Sequence, residues 1–408
     1  MAFKSGRVSF TRFLLPGEPA DSTEKLLETL NEHAFTEHEI GRPDEVESGW
    51  VTGEHLFDTQ FDYVKNVFGP TVHIGLRIDT HRVPADVKRA YKQMNEQAAA
   101  EDNPSGHSTR SQRQEAKDLA ERQMNEELAS GRYRRSRMVP VLWHLPSSTL
   151  YLNSTSNNVA EILGKLFRDT FGVTPEPLSA GTMAGEILHQ QGRDRDFEDV
   201  RPSSFTPPPG GLEDRYGDDG PPGDSSRPMV PWSMAGAETK DFLGNEFLIW
   251  WWFLCDTGEG MINVETDSGD RELAIALDKT LDLDCAWNVT GRTTIRSDGP
   301  TRLPEARDAL GEGKWPRKAG VLLADGADQW ELTLHADGYQ VSSASIPPAV
   351  DPEGPRDEAE HRILSTRNLA ECLDGLYREF LGQRMGSQWP TIRKEISAWI
   401  QRRRPGHS

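Results

Sequence analysis

Thr71-Val72-His73-Ile74-Gly75-Leu76-Arg77-Ile78-Asp79 alternates along its length, with Val72, Ile74, Leu76 and Ile78 on one face. Successive side chains leave a pleated strand on opposite sides, so this period of two predicts a half-buried β-strand. Upstream, residues 7–15 alternate in part (Val8, Phe10, Phe13), and Ser22 opens a helical pattern carrying Leu26, Leu27 and Leu30. Downstream, Pro84 leads into a helix whose apolar positions Val87, Ala90, Tyr91, Met94 and Ala98 keep a 3.6-residue period. After the polar break Asn103-Pro104-Ser105-Gly106, a further helix carries Ala116, Leu119, Ala120, Met124 and Leu128. The two are expected to pair as a hairpin of helices. Residues 139–145 and 149–154 then read as a β-hairpin through Pro146-Ser147-Ser148, and Val159, Ile162, Leu163, Leu166 and Phe167 as another helix. Together these predict an N-terminal α+β domain over residues 1–190, with a helical finger at about 84–138.

Residues 193–231 hold eight prolines, many glycines and an excess of acid, with few apolar side chains to offset the entropy of ordering. A disordered acidic Pro/Gly-rich linker is expected over 191–238. The second domain, 239–408, opens with an apolar run around Trp250, Trp251 and Trp252, far shorter than the roughly 20 residues that span a bilayer. It reads as a buried helix with the tryptophans as core anchors. Alternating runs at 319–324, 329–335 and 339–346, separated by Asp325-Gly326 and Asp337-Gly338, predict a three-stranded antiparallel meander. The last stretch carries an amphipathic helix (Leu369, Cys372, Leu373, Leu376, Tyr377, Phe380, Leu381) and a shorter one before Arg402. The expected fold is therefore α+β: two mixed or antiparallel sheet domains with flanking helices and a projecting helical hairpin.

The 408 residues carry a formal net charge of −19, which disfavours a protein that binds nucleic acid over its whole surface. Charge distribution says more than the sum. Residues 1–138 hold 19 Lys+Arg against 23 Asp+Glu, while the remainder holds 27 against 42. Within the nearly neutral part, Gly131-Arg132-Tyr133-Arg134-Arg135-Ser136-Arg137 sets four arginines around one aromatic ring. Guanidinium forks bind phosphate bidentately and an aromatic face stacks on a base or sugar, so the cluster points to nucleic acid, against the alternative of a solvated turn. Arg110, Arg113 and Lys117 at the start of the preceding helix extend it, so that cations bracket one projecting element. The amino-terminal residues lack a signal-peptide pattern and the three cysteines are too few and too widely spaced for a disulfide framework or a metal site, so a cytoplasmic, reduced protein without cofactor is expected. No His-Glu-x-x-His, phosphate-loop or Gly-x-Ser-x-Gly spacing is present. Two other classes compete with DNA binding. One is a Mg²⁺-dependent nuclease using Asp308, Glu312 and Lys314, and the other an acidic scaffold for a protein partner.

Read in order, several landmarks resemble the bacterial recombination-associated protein RdgC family. They are Val8-Ser9-Phe10-Thr11-Arg12-Phe13, Ser48-Gly49-Trp50-Val51, Val72 to Arg77 leading through Val83-Pro84, Leu142-Trp143, Pro177-Leu178-Ser179, Glu246 to Trp250, and Ala309-Leu310-Gly311-Glu312-Gly313-Lys314 followed by the meander with Trp330. The resemblance implies a noncatalytic α+β subunit that assembles as a ring-shaped homodimer around double-stranded DNA, binds with little sequence preference, associates with the nucleoid and restrains a RecA-type recombinase. The family is sometimes labelled an exonuclease. By position, Tyr133-Arg134 resembles the family's aromatic-bearing finger, and the segment from Arg296 to Arg302 its basic segment ahead of Lys314. Arg110, Arg113, Lys117, Arg132, Tyr133, Arg134, Arg135, Arg137, Arg296, Arg302 and Lys314 are thus the expected DNA contacts, with no membrane partner.

Overall fold

A computed structural model of the chain describes residues 3–17, 22–36, 46–101, 109–206, 239–258, 260–286 and 290–402. The fold is α+β, and the chain divides into two compact units: residues 16–148 with 158–174, here the hairpin unit, and residues 1–15, 149–157 and 175–408, here the sheet unit. The division expected near residue 190 is not the one the structure makes. Residues 1–15 and 149–157, far apart in sequence from the C-terminal half, share its compact unit.

The elements begin with β1 (Val8–Leu14), α1 (Thr23–Glu32), β2 (Val46–Val51), α2 (Tyr63–Asn66), β3 (Val67–Phe68), β4 (Thr71–His81), α3 (Ala85–Glu101), α4 (Arg110–Ala129) and β5 (Arg134–His144). Next come β6 (Thr149–Leu152), α5 (Asn157–Phe171), β7 (Glu176–Pro177), α6 (Ala180–Gln190) and α7 (Asp194–Asp199). The remainder is α8 (Phe242–Thr257), β8 (Met261–Thr266), β9 (Gly269–Cys285), β10 (Thr293–Ser297), α9 (Pro304–Gly311), β11 (Lys314–Asp325), β12 (Asp328–His335), β13 (Gln340–Ala344), α10 (Pro355–Arg384) and α11 (Trp389–Arg402).

In the hairpin unit, β4 lies between β2 and β5 in an antiparallel sheet, and β3 adds a short pairing to β4. Leu76 sits opposite Trp50 on one side and Val139 on the other. Val72, Ile74, Leu76 and Ile78 are fully buried as their spacing predicts. Helix α5 packs near this face, with Phe167 against the Trp50 and Trp143 rings and Thr170 Oγ1 accepting from Trp50 Nε1 at 2.9 Å. The expectation of a half-buried strand fails on the other face: His73, Arg77 and Asp79 are buried too. Arg77 and Asp79 tolerate this because they pair with each other. Arg77 donates to Asp79 from Nε and Nη2 at 3.0 and 2.9 Å while its guanidinium lies over the Phe35 ring. Asn66 ties the 52–66 segment to β4 by donating to the carbonyls of Thr52 and His73.

The sheet unit holds an antiparallel sheet in the order β10-β9-β11-β12-β13-β1-β6, with β8 on β9 and β7 on β1. The meander is β11-β12-β13, and its Asp325-Gly326 turn uses a left-handed glycine (φ 58°). Every residue of α8 from Phe242 to Trp252 is buried. Gly244 is obligatory there, because a Cβ would stand 1.8 Å from the Ala336 carbonyl oxygen. Phe247 packs against Tyr339, Tyr377 and Phe380, and Trp252 against Trp399. The Glu246 carboxylate, wholly buried, accepts from Arg384 Nε at 2.5 Å and from the Ser203 amide at 2.6 Å.

That last bond corrects the start of the expected linker. Residues 191–206 are built into the unit: α7 forms, and Phe205 is buried against the Trp315 and Trp389 rings. A composition averaged over 40 residues hides anchors such as Ser203 and Phe205. The rest of the expected linker, 207–238, lies outside the described residues.

Candidate nucleic-acid interface

Helices α3 and α4 run antiparallel, as the sequence predicts. Tyr91 Oη donates to Glu127 Oε1 at 2.7 Å and Asn95 Nδ2 to Gln123 Oε1 at 3.2 Å, so the partner number falls as the first rises. The seam differs from the expected apolar stripes. No residue of α3 is buried, α4 buries only Ala116, Ala120 and Leu128, and Met94 and Leu119 are 62% and 48% exposed. Thr109 starts α4 with a capping box closed by Gln112. Spacings of three and four place Arg110, Arg113 and Lys117 on one face of its first two turns. All three are exposed, Lys117 lies 3.7 Å from Glu121, and Arg110 has no side-chain partner among the described residues.

The other end of α4 stops at a Schellman motif. Gly131 is left-handed (φ 78°), its amide donates to Leu128 O, and the Arg132 amide donates to Glu127 O. The arginine cluster follows, and it passes from a turn at Gly131 to Tyr133 into β5, which begins at Arg134. Strand alternation therefore sends its arginines to different faces. Arg134, register partner of His81, turns toward buried Asp79 and donates from Nε and Nη2 at 2.7 and 2.6 Å. Burial raises the Asp79 carboxyl, but hydrogen bonds from Arg77, Ser136 and Arg134 outweigh it and hold the group below the usual carboxylate range. Arg132 and Tyr133 are also engaged. Both donate to Glu127, which accepts from Tyr91 as well. The shared carboxylate pushes the Tyr133 phenol up to about 12 and is itself held low by the Tyr133 and Tyr91 hydroxyls.

Arg135 and Arg137 are left. They lie on one face of β5, two residues and so ~7 Å apart, exposed and without side-chain partners among the described residues. Arg82, just past the His81 that pairs with Arg134, is likewise exposed and without a side-chain partner among the described residues, and the sequence reading omitted it. Glu127 and Asp79, which decide which arginines are free, were also missed. The available signal for Glu127 is its place five residues before Arg132, across a helix-ending glycine.

The remaining expected contacts belong to the sheet unit and do not share one surface there. Arg296 is exposed on β10 opposite Thr280, while Lys314 donates to Thr293 Oγ1 at 2.8 Å. Thr293 and Arg296 are three residues apart on one regular strand, so their side chains take opposite faces. Arg302 is exposed in a 3-10 turn, Pro300–Arg302. Asp308 and Glu312 are exposed at the end of α9, and among the described residues no three His, Cys, Asp or Glu side chains are grouped to hold a metal ion. No helix of the described residues is long and apolar enough to cross a membrane. Comparison of the chain with protein-family models and with curated proteins finds no match.

Proposed function

We propose that this chain binds double-stranded DNA through its phosphates, without regard to base sequence. The observation that carries the reading is the pair Arg135 and Arg137, exposed and without side-chain partners among the described residues, at the base of an exposed hairpin whose α4 presents Arg110, Arg113 and Lys117, in a chain of net charge −19. Cations gathered on one surface of an acidic protein give affinity for phosphate while the acidic remainder repels nucleic acid elsewhere. Tyr133, hydrogen-bonded to Glu127, is given no stacking role. The resemblance to the RdgC family extends the reading to a ring-shaped homodimer that associates with the nucleoid and restrains a RecA-type recombinase.

The test is a salt titration of duplex binding. A dimer that neutralises about six phosphates gives a slope of roughly −5 in log affinity against log salt. Replacing both Arg135 and Arg137 by Ala removes four of those contacts per dimer, and the slope falls to about −2. A wild-type slope near zero overturns the reading.

A further inference from the structure

The hairpin has little apolar material to fix its direction. Of the described apolar residues from 82 to 133, Val83 and Leu128 are buried at its base, and α3 buries nothing. What joins its parts there is one carboxylate. Glu127, on the last turn of α4, accepts from Tyr91 on α3, from Arg132 and from Tyr133 in the connection to β5. A carboxylate has about four acceptor sites, so three donors from two segments nearly saturate it. In a Schellman motif the two positions held here by Glu127 and Arg132 commonly meet through an apolar contact. Here an ion pair takes that place.

We infer that Glu127 is a positioning residue: its carboxylate sets the angle at which the α3–α4 hairpin leaves the strands, and thereby brings the cations of α4 and of β5 onto one nucleic acid. Lever length explains why this point matters. Helix α4 has 20 residues, or ~30 Å at 1.5 Å per residue. A swing of about 20° at the Glu127 end therefore moves Arg110 by roughly 10 Å, farther than a side chain can follow. The functional half of this inference rests on the DNA-binding reading, whereas the mechanical half does not.

The two halves have separate tests. Spin labels at Gln114→Cys on α4 and Lys165→Cys on α5, both exposed and both in the hairpin unit, report the hairpin angle in a Cys255→Ser background without any DNA. Glu127→Ala is expected to broaden the distance distribution while the far-ultraviolet circular dichroism stays unchanged, and Glu127→Gln, which keeps an acceptor for the tyrosines, to narrow it again most of the way to that of the wild type. An unchanged distribution in Glu127→Ala overturns the inference, and loss of helical signal assigns Glu127 to helix stability and overturns it as well. With duplex DNA, Glu127→Ala is expected to lose affinity by on the order of tenfold with a shallower salt slope, because the two groups of cations no longer engage together. Wild-type affinity and slope in that variant refute the functional half. Absence of binding by the wild-type protein refutes the DNA reading alone and leaves the label experiment to decide the angle.

Discussion

Helix α8 and the hairpin α3–α4 are held in opposite ways. In α8, eleven consecutive residues from Phe242 to Trp252 are buried, so its conformation follows from apolar area removed from water on every side. In the hairpin the helices are exposed around most of their surface, and polar ties such as Tyr91–Glu127 and Asn95–Gln123 do the joining. The first kind of helix cannot move without unfolding its unit. The direction of the second rests on a few polar ties at its base.

Substitutions of graded severity sharpen the contrast. The largest effect is expected in α8: Trp251→Ala, at a side chain with no exposed area, should cost about 4 kcal/mol by chemical denaturation. A loss below 1 kcal/mol there would break the comparison. Next is Asp79→Asn, which leaves Arg77 and Arg134 without their buried counter-charge and should cost about 3 kcal/mol at neutral pH. Its pH dependence follows from the depressed carboxyl. The contribution of Asp79 is complete above the unfolded value near 4 and is lost as pH falls through the lower folded value. The wild-type acid limb should therefore be steeper than that of Asp79→Asn. The smallest effect is expected on the hairpin surface, where Leu119→Ala, at a half-exposed position, should change stability by less than about 0.5 kcal/mol. A cost near 2 kcal/mol would mean that a partner surface covers Leu119 in solution.

The elements themselves were largely legible. The spacing of Val72 to Ile78 marked β4, the Asp-Gly turns marked the meander, and the run around Trp250 marked a buried helix, because each signal is repeated within a few residues. What escaped was burial of the second face of β4. Its polar residues His73, Arg77 and Asp79 read as solvent-facing, whereas the 52–66 segment, through Asn66, together with Phe35 and Arg134, covers them. The beginning of the expected linker escaped for a similar reason. Glu246 and Trp389, which hold Ser203, lie 43 and 186 residues away.

For the arginine cluster the boundary is sharp. Sequence alone determined that Arg132 to Arg137 follow a helix ending at Gly131, since that is a matter of neighbouring residues. Only tertiary structure decided that Arg134 belongs to Asp79, 55 positions earlier, and that Arg135 and Arg137 have no side-chain partner among the described residues. Strand alternation sends adjacent arginines to opposite faces, and a charge is available to a ligand only where the fold brings no counter-charge to it. Local spacing fixes the first of these facts; the second depends on which distant carboxylate the sheet places within hydrogen-bond reach.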